Sequence, residues 1–275
     1  MIMVTGAHGQ LGSGVLARLR ADGVPAVGGS RTAATDIRPL DFDDPETLDL
    51  RDISTLVLIS AGYAEDDQVI RRHRAVIDAA VRDGVGHVVY TSLAGVGDHL
   101  AFALAHRATE RLLTDSGLPW TVLRNGLYAE LFGSSLRWAD ADTVESAFGT
   151  GALAAVARAD LAEAAAVVAT APAAHAGRIY ELVGTPITAD AVAGELGVRH
   201  RDIDLATLRA GALATDGLLP FQPPMIASIA TAVRHGFLAT PGHDLEALLG
   251  RPITDPLPVA AETAALLRPP VPAVR

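Results

Sequence analysis

Three glycines, at positions 6, 9 and 12, stand between the apolar run Ile2-Met3-Val4-Thr5 and an amphipathic stretch that begins at Leu11. The segment reads Gly6-Ala7-His8-Gly9-Gln10-Leu11-Gly12. Glycine here suits a tight turn that lets a pyrophosphate approach the backbone, with the amides of Gln10 and Leu11 aimed at the anion from the mouth of a helix. The GxxGxxG spacing departs from the GxGxxG of ordinary dehydrogenases. Its position, flush against an apolar strand at the start of the chain, carries the inference of a dinucleotide site. About 20 residues past such a loop, NAD sites carry a carboxylate for the ribose 2′-hydroxyl. This chain has Gly29-Ser30-Arg31 there. A guanidinium with no competing acid forks well onto a phosphate, so Arg31 points to NADP(H) as cofactor. The plain alternative is a solvated surface charge.

Proton chemistry is less conventional. Ordinary short-chain dehydrogenases set a Lys four residues after a Tyr, so that the phenol acts as an acid near neutral pH. All 22 basic residues here are Arg, which leaves Tyr63, Tyr90, Tyr128 and Tyr180 without that partner and excludes a Schiff base. His106 and Glu110, four apart on one helix face, are the candidate pair for proton delivery, with an ordinary half-buried helix pair as the alternative. Cysteine is absent, so disulfides, thiolate metal sites and a thiol nucleophile are excluded. The other histidines show no HExxH spacing, and no metal site is expected. Ser13, Ser134 and Ser135 lack a GxSxG setting. Asp43-Asp44-Pro45-Glu46 reads as the capped start of a helix. Phe221, Met225, Phe237 and Trp138 fit either an apolar substrate pocket or the core.

The elements that must position these groups follow from periodicity. Short apolar runs at Ile2–Thr5, Val24–Gly29, Thr55–Ser60, His87–Thr91, Trp120–Leu123 and Arg178–Val183 alternate with helical patterns at Leu11–Ala21, Asp67–Asp83, Ala101–Ser116 and Leu161–Ala171. That alternation predicts an α/β fold with a Rossmann-type doubly wound parallel sheet. Gly84 and Gly117 stand where left-handed helix caps are expected. Beyond Gly184 the pattern becomes helices separated by Pro and Gly clusters. The expected division is a dinucleotide-binding domain over 1–183, with 127–150 contributing to the substrate pocket, and a smaller substrate-side lobe over 184–275. The tail Arg268-Pro269-Pro270-Val271-Pro272 cannot continue a helix.

With 275 residues, 49% of them apolar, the chain can build a large core. No apolar stretch approaches the ~20 residues that span a bilayer, and the N-terminus lacks an export signal, so a cytoplasmic protein with no membrane partner is expected. A net charge of −10 argues against nucleic acid as a partner. A homodimer is the default assembly.

The residues also resemble a known family, the NmrA-like atypical short-chain reductases, and among them the type 2 NADPH:quinone oxidoreductases. The resemblance lies in Val4-Thr5-Gly6-Ala7-His8-Gly9-Gln10-Leu11-Gly12, Leu58-Ile59-Ser60-Ala61, Tyr90-Thr91-Ser92-Leu93, Leu112 to Gly117 and Leu123-Arg124-Asn125-Gly126-Leu127-Tyr128. Ala157 to Ala162 and Arg178 to Gly184 continue it, and Leu245 to Pro252 echoes the family's ending. It implies NADPH across the strand ends and hydride transfer to a small-molecule quinone or aromatic carbonyl. By the same resemblance, Ser60-Ala61-Gly62 would run beside the ribose and nicotinamide, Asp41-Phe42 would border the adenine, and Asn125 and Tyr128 would line the nicotinamide and substrate pocket. At His8 the family commonly has Thr; an imidazole there still offers a donor to phosphate. Two other functions fit the family: an NADP-sensing regulator without turnover, and a tailoring reductase of aromatic secondary metabolism.

Overall fold

The computed structural model describes residues 1–61 and 64–269. β1 (Ile2–Thr5) leads through the glycine loop into α1 (Gln10–Ala21), then β2 (Ala26–Ser30) and the short β3 (Ile37–Pro39). β4 (Thr55–Leu58), α2 (Asp66–Asp83), β5 (His87–Leu93), α3 (Ala103–Asp115) and β6 (Trp120–Asn125) continue the alternation. Next come α4 (Ala129–Ser134), β7 (Arg137–Asp140), β8 (Thr143–Ser146), β9 (Ala152–Ala155), α5 (Arg158–Thr170) and β10 (Arg178–Leu182). The chain closes with β11 (Thr185–Thr188), α6 (Ala189–Glu195), β12 (Arg199–Asp202), α7 (Leu205–Ala214), α8 (Gln222–Arg234), α9 (Asp244–Leu249) and α10 (Pro256–Leu266).

Among the described residues, seven strands form one sheet in the order β10-β6-β5-β4-β1-β2-β3, every pair parallel. Strands covered on both faces read as unbroken apolar runs, which is why β1 and β4 were legible in the sequence. On one face α1 and α5 close over Val4, Val57, Val89 and Leu123. On the other, residues of α2 and α3 enclose Met3, Leu56, Tyr90 and Val122. The chain leaves β1 to one side for β2 and to the other for β4, so the strand order reverses at β1. The carboxyl end of that strand is where open α/β sheets bind ligands.

The second strand starts at Ala26, two residues later than expected, and Gly84 caps α2 in the left-handed conformation. α3 instead ends on Ser116 in right-handed geometry, and Gly117 takes the positive φ of +78° one residue on. The expectation of helices alone beyond Gly184 is corrected: β11 pairs antiparallel with β9, and β12 parallel with β8. Residues from α4, β8, β9, α6, α8 and α10 share a third apolar core, while Leu245 of α9 returns to the core under α1 and α5. No helix among the described residues is long and apolar enough to cross a membrane. Of the proline-rich tail, residues 270–272 lie outside the described residues.

Candidate functional site

At the end of β1 the chain turns through Gly6 at φ +61°, in the left-handed region that favours glycine. Gly9 N–H donates to the Gly6 carbonyl at 2.8 Å, and Ala7 N–H to the Gly29 carbonyl at 3.2 Å, which straps the loop to β2. A Cβ on Gly12 would lie 2.8 Å from the Thr5 carbonyl oxygen, so glycine is what lets α1 start this close to β1. Gly9 is the N-cap of α1; no side chain caps it and no acid lies in the first turn. Side chains of Thr188, Asp204 and Asp255 do cap α6, α7 and α10. No side chain therefore caps the amides at the mouth of α1, where Gln10 and Leu11 stand.

β2 ends at Ser30, so Arg31 opens the next loop, exposed, and no carboxylate among the described residues forms a salt bridge with it. His8 turns to the loop that follows β2. Its Nε2 lies 2.9 Å from the Thr32 carbonyl oxygen. A carbonyl only accepts, so Nε2 carries a proton. Asp41 and Phe42 follow β3; the Asp41 carboxylate accepts Asp43 N–H at 3.0 Å, and the Phe42 ring stands edge-on to His73 at 6.5 Å. The helix expected at Asp43 is only a short 3-10 turn over Pro45–Thr47, capped by Asp44. Asp43 instead meets Arg72 and Arg71 of α2, and the Arg72 hydrogen bond holds its carboxyl below the usual range.

Past β4, Ser60 N–H donates to Thr91 Oγ1 at 3.1 Å, and Ala61 N–H to His73 Nε2 at 2.9 Å. Gly62 and Tyr63 lie outside the described residues. Two buried polar atoms at this edge lack a hydrogen bond of good geometry: Asn125 Oδ1 at the end of β6 and, past β4, Ser60 Oγ, which has the Tyr90 hydroxyl within reach. Unsatisfied buried groups are rare in folded proteins. A hydroxyl and an amide oxygen at the strand ends match the hydroxyl and carboxamide groups of a nicotinamide nucleotide, so the residues present fit that cofactor. Tyr128 begins α4, with the Arg158 guanidinium over its ring at 4.7 Å.

His73 is the functional candidate that reading the sequence for metal ligands missed. It is fully buried, with Nε2 holding Ala61 and Nδ1 2.8 Å from Thr109 Oγ1, whose own proton goes to the Ala105 carbonyl. Burial, with the charges of His106 and Arg72, pushes its pKa down to about 3, so the ring is neutral. The signal was present: His73 falls on the apolar stripe Val69, Val76, Ile77 and Ala80 of α2, where a polar residue needs a reason. Unfolded, its pKa is 6.5. The unfolded chain therefore binds the extra proton, and stability is full above pH 6.5 and falls by ~1.4 kcal/mol per pH unit below it, toward the folded value near 3. His73→Leu should cost about 1–3 kcal/mol at neutral pH, because Ala61 N–H is left unsatisfied. It should also flatten that acid limb, as urea unfolding across pH would show; an unchanged limb would remove His73 from the account.

The expected pairing of His106 with Glu110 is corrected. His106 Nδ1 lies 3.1 Å from the Tyr90 hydroxyl, which is also within reach of Ser60 and Thr109. Burial and the neighbouring Arg107 lower the His106 pKa to about 4, against the pull of Glu110, so the ring is neutral near pH 7. Burial raises the Tyr90 phenol. Glu110 turns instead to Ser92 at 2.5 Å, Arg107 at 2.5 Å and Arg124 at 2.7 Å, and Arg124 reaches Glu181 at 3.0 Å. Register explains the cluster: Ser92, Arg124 and Glu181 face one another across β5, β6 and β10, directly under α3.

Beside this edge lies an apolar recess lined by Leu93, Val96, Leu100, Leu127, Val183 and Leu238. Phe237 packs against His99 next to it, ring centroids 4.8 Å apart and planes tilted by 50°. Phe221 and Met225 are half-buried near the start of α8, whereas Trp138 belongs to the packing of α10, its indole donating to the Ala264 carbonyl. Ser146, His200 and Asp190 connect in the manner of a hydrolytic triad, at 3.0 and 2.9 Å. The exposures are inverted for that chemistry: the serine is buried and the aspartate open to water. Among the described residues no group of three acids or histidines could hold a metal ion.

The family described as NAD(P)H-binding matches residues 6–172, from the first loop glycine through α5. Quinone oxidoreductase 2 of Escherichia coli is 34% identical over 92% of this chain and 95% of its own length. The crystal structure of an NADPH-dependent quinone oxidoreductase from the same organism, in complex with NADPH, superposes with a TM-score of 0.82 at 31% identity, covering 97% of this chain and 99% of that one. Triphenylmethane reductase of Citrobacter sp. complexed with NADP(H) gives 0.84 at 28% identity, with coverage of 97% and 99%. An NmrA-like family domain-containing oxidoreductase of Aspergillus flavus is 34% identical over 58% of each chain. The loop and the bare helix mouth, with these matches along nearly the whole length, show that the chain belongs to the NAD(P)H-binding, NmrA-like family of atypical short-chain reductases.

Proposed function

We propose that the protein is an NADPH-dependent oxidoreductase that passes hydride to a quinone or a related conjugated or aromatic carbonyl. The observation that carries the substrate class is the buried Tyr90–His106 hydrogen bond at 3.1 Å in a chain with no Lys to activate a phenol: burial raises the phenol and lowers the imidazole to about 4. A quinone suits such a site, because its reduced oxyanion is delocalised and takes its proton from water. When bound, NADPH supplies the hydride. The amides of Gln10 and Leu11, with Gly6 and Gly9 shaping the loop, hold the diphosphate, and Arg31 takes the 2′-phosphate. Asp41 and Phe42 border the adenine. Asn125 offers its unpartnered oxygen to the nicotinamide half, with the Ser60 hydroxyl and Ala61 beside it, and Tyr128 closes the substrate side. His106 braces Tyr90 behind Ser60, a hydrogen-bonding role in place of the stored acid expected from its spacing.

The same reading makes the substrate a small molecule, the setting cytoplasmic and the assembly a homodimer; quinone oxidoreductase 2 supports the first of these. The test is loss of NADPH absorbance against a panel of quinones, carbonyls and imines. Saturable turnover with quinones is expected. Cofactor binding without turnover across the panel would instead favour a sensor of the dinucleotide.

A further inference from the structure

We propose that His8 is a specificity-determining residue for the phosphorylated coenzyme, acting as a strap that holds the Arg31 segment against the phosphate loop. The proposal rests on the reading that Arg31 binds the 2′-phosphate. β2 ends at Ser30, whose carbonyl accepts Leu40 N–H at 2.8 Å. The backbone is next secured at Ala34, which exchanges hydrogen bonds with Ile37 at 3.1 and 3.0 Å. Residues 31–33 between these points are all exposed, with no packing to fix them. Among the described residues, the hydrogen bond joining this segment to the phosphate loop is the one from His8 Nε2 to the Thr32 carbonyl, at 2.9 Å. Thr32 is bonded directly to Arg31, so the strap sets where the guanidinium's stem begins relative to Gly9 and Gln10.

The effect is selective by construction. A flexible cationic side chain on a loose segment must be ordered by its ligand, and that entropy opposes binding. Holding the segment in advance removes part of the cost, but only for a ligand that uses Arg31. NADH presents a hydroxyl in place of the 2′-phosphate, and its diphosphate is held by backbone amides that do not depend on the His8 side chain. The ring is well suited to the task. Imidazole is rigid, its Nε2 stands far from Cβ, and that proton is fixed by the carbonyl acceptor whichever charge the ring carries. A threonine hydroxyl, one bond from Cβ, stops short of the same acceptor. The strap is therefore a property of His8 and not of the loop's general form.

Calorimetric dissociation constants for NADPH and NADH test this on the parent, His8→Ala, His8→Gln, Arg31→Ala and the double variant, each checked for folding by thermal unfolding. His8→Ala should weaken NADPH by roughly 3–10-fold, the worth of one exposed hydrogen bond, while NADH shifts much less. Gln, whose side-chain amide also donates at that reach, should restore most of the loss. In the Arg31→Ala background, His8→Ala should leave the ratio of the two affinities unchanged, because the strap then has nothing to position. Equal losses for both coenzymes would overturn the proposal, as would a His8 effect that persists without Arg31. If Arg31→Ala abolishes the preference and His8→Ala leaves it intact, the strap fails and the Arg31 reading stands. If Arg31→Ala does not change the preference, the Arg31 reading fails and takes the strap with it.

Discussion

Gly12→Val is expected to weaken NADPH binding on the order of 100-fold, the scale of losses that follow about 1 Å of misplacement in a preorganised site. The cause is local. Gly12 is buried in the first turn of α1, and a Cβ there would meet the Gly6 carbonyl carbon and the Thr5 carbonyl oxygen, each at 2.8 Å. Those atoms belong to the backbone and cannot rotate away, so α1 must retreat from β1 and carry the amides of Gln10 and Leu11 with it. Overpacking of this kind also costs about 1–3 kcal/mol of stability, which a protein of this size tolerates at 25 °C. Fluorescence titration with NADPH, alongside circular dichroism to establish folding, measures the effect. A dissociation constant within about threefold of the parent, less than ~0.7 kcal/mol, would mean that the loop does not hold the cofactor.

The second large effect concerns stability. Glu110→Leu should destabilise the protein by about 1.5–3 kcal/mol, because the half-buried Arg107 and Arg124 would lose their shared charged partner while keeping Asp98 and Glu181. Burial alone would raise the Glu110 carboxyl, but hydrogen bonds from Arg124 and Ser92 and the charges of both arginines outweigh it and hold the group below its ordinary value of 4.5. The folded pKa is thus depressed. Glu110 contributes stability that is complete above pH 4.5 and is lost as the pH falls toward the lowered folded value. Urea unfolding at pH 7 checks the mutation, with a lower midpoint and an unchanged slope expected. A change under about 1 kcal/mol, the range of an exposed ion pair, would show that water reaches the cluster.

Glu110 also shows where sequence reading stops. From the sequence its only evident partner was His106, one helical turn away; its actual partners Arg107, Arg124 and Ser92 come from the same helix and from two strands brought under it by parallel pairing. The dinucleotide half was legible because fully covered parallel strands are continuous apolar runs, and because glycines at 6, 9, 12 and 84 punctuate them at places that require glycine. β3 escaped notice as a three-residue edge strand containing Arg38 and Pro39. β7, β8, β11 and β12 are four residues each, too short to establish a period, and their partners lie far away in sequence, as Arg199 with Thr143. The positions of Arg31, Ser60 and Asn125 were readable from motif order. That His8 turns to Thr32, and that Ala61 rests on His73, depended on tertiary geometry that no local pattern encodes.

The most direct measurement of the whole account is a calorimetric titration of the unmodified protein with each of the two reduced coenzymes. A saturable isotherm with NADPH, one equivalent per chain, and a weaker one with NADH is the expected outcome. Flat traces with both NADPH and NADH, on folded material, would contradict it.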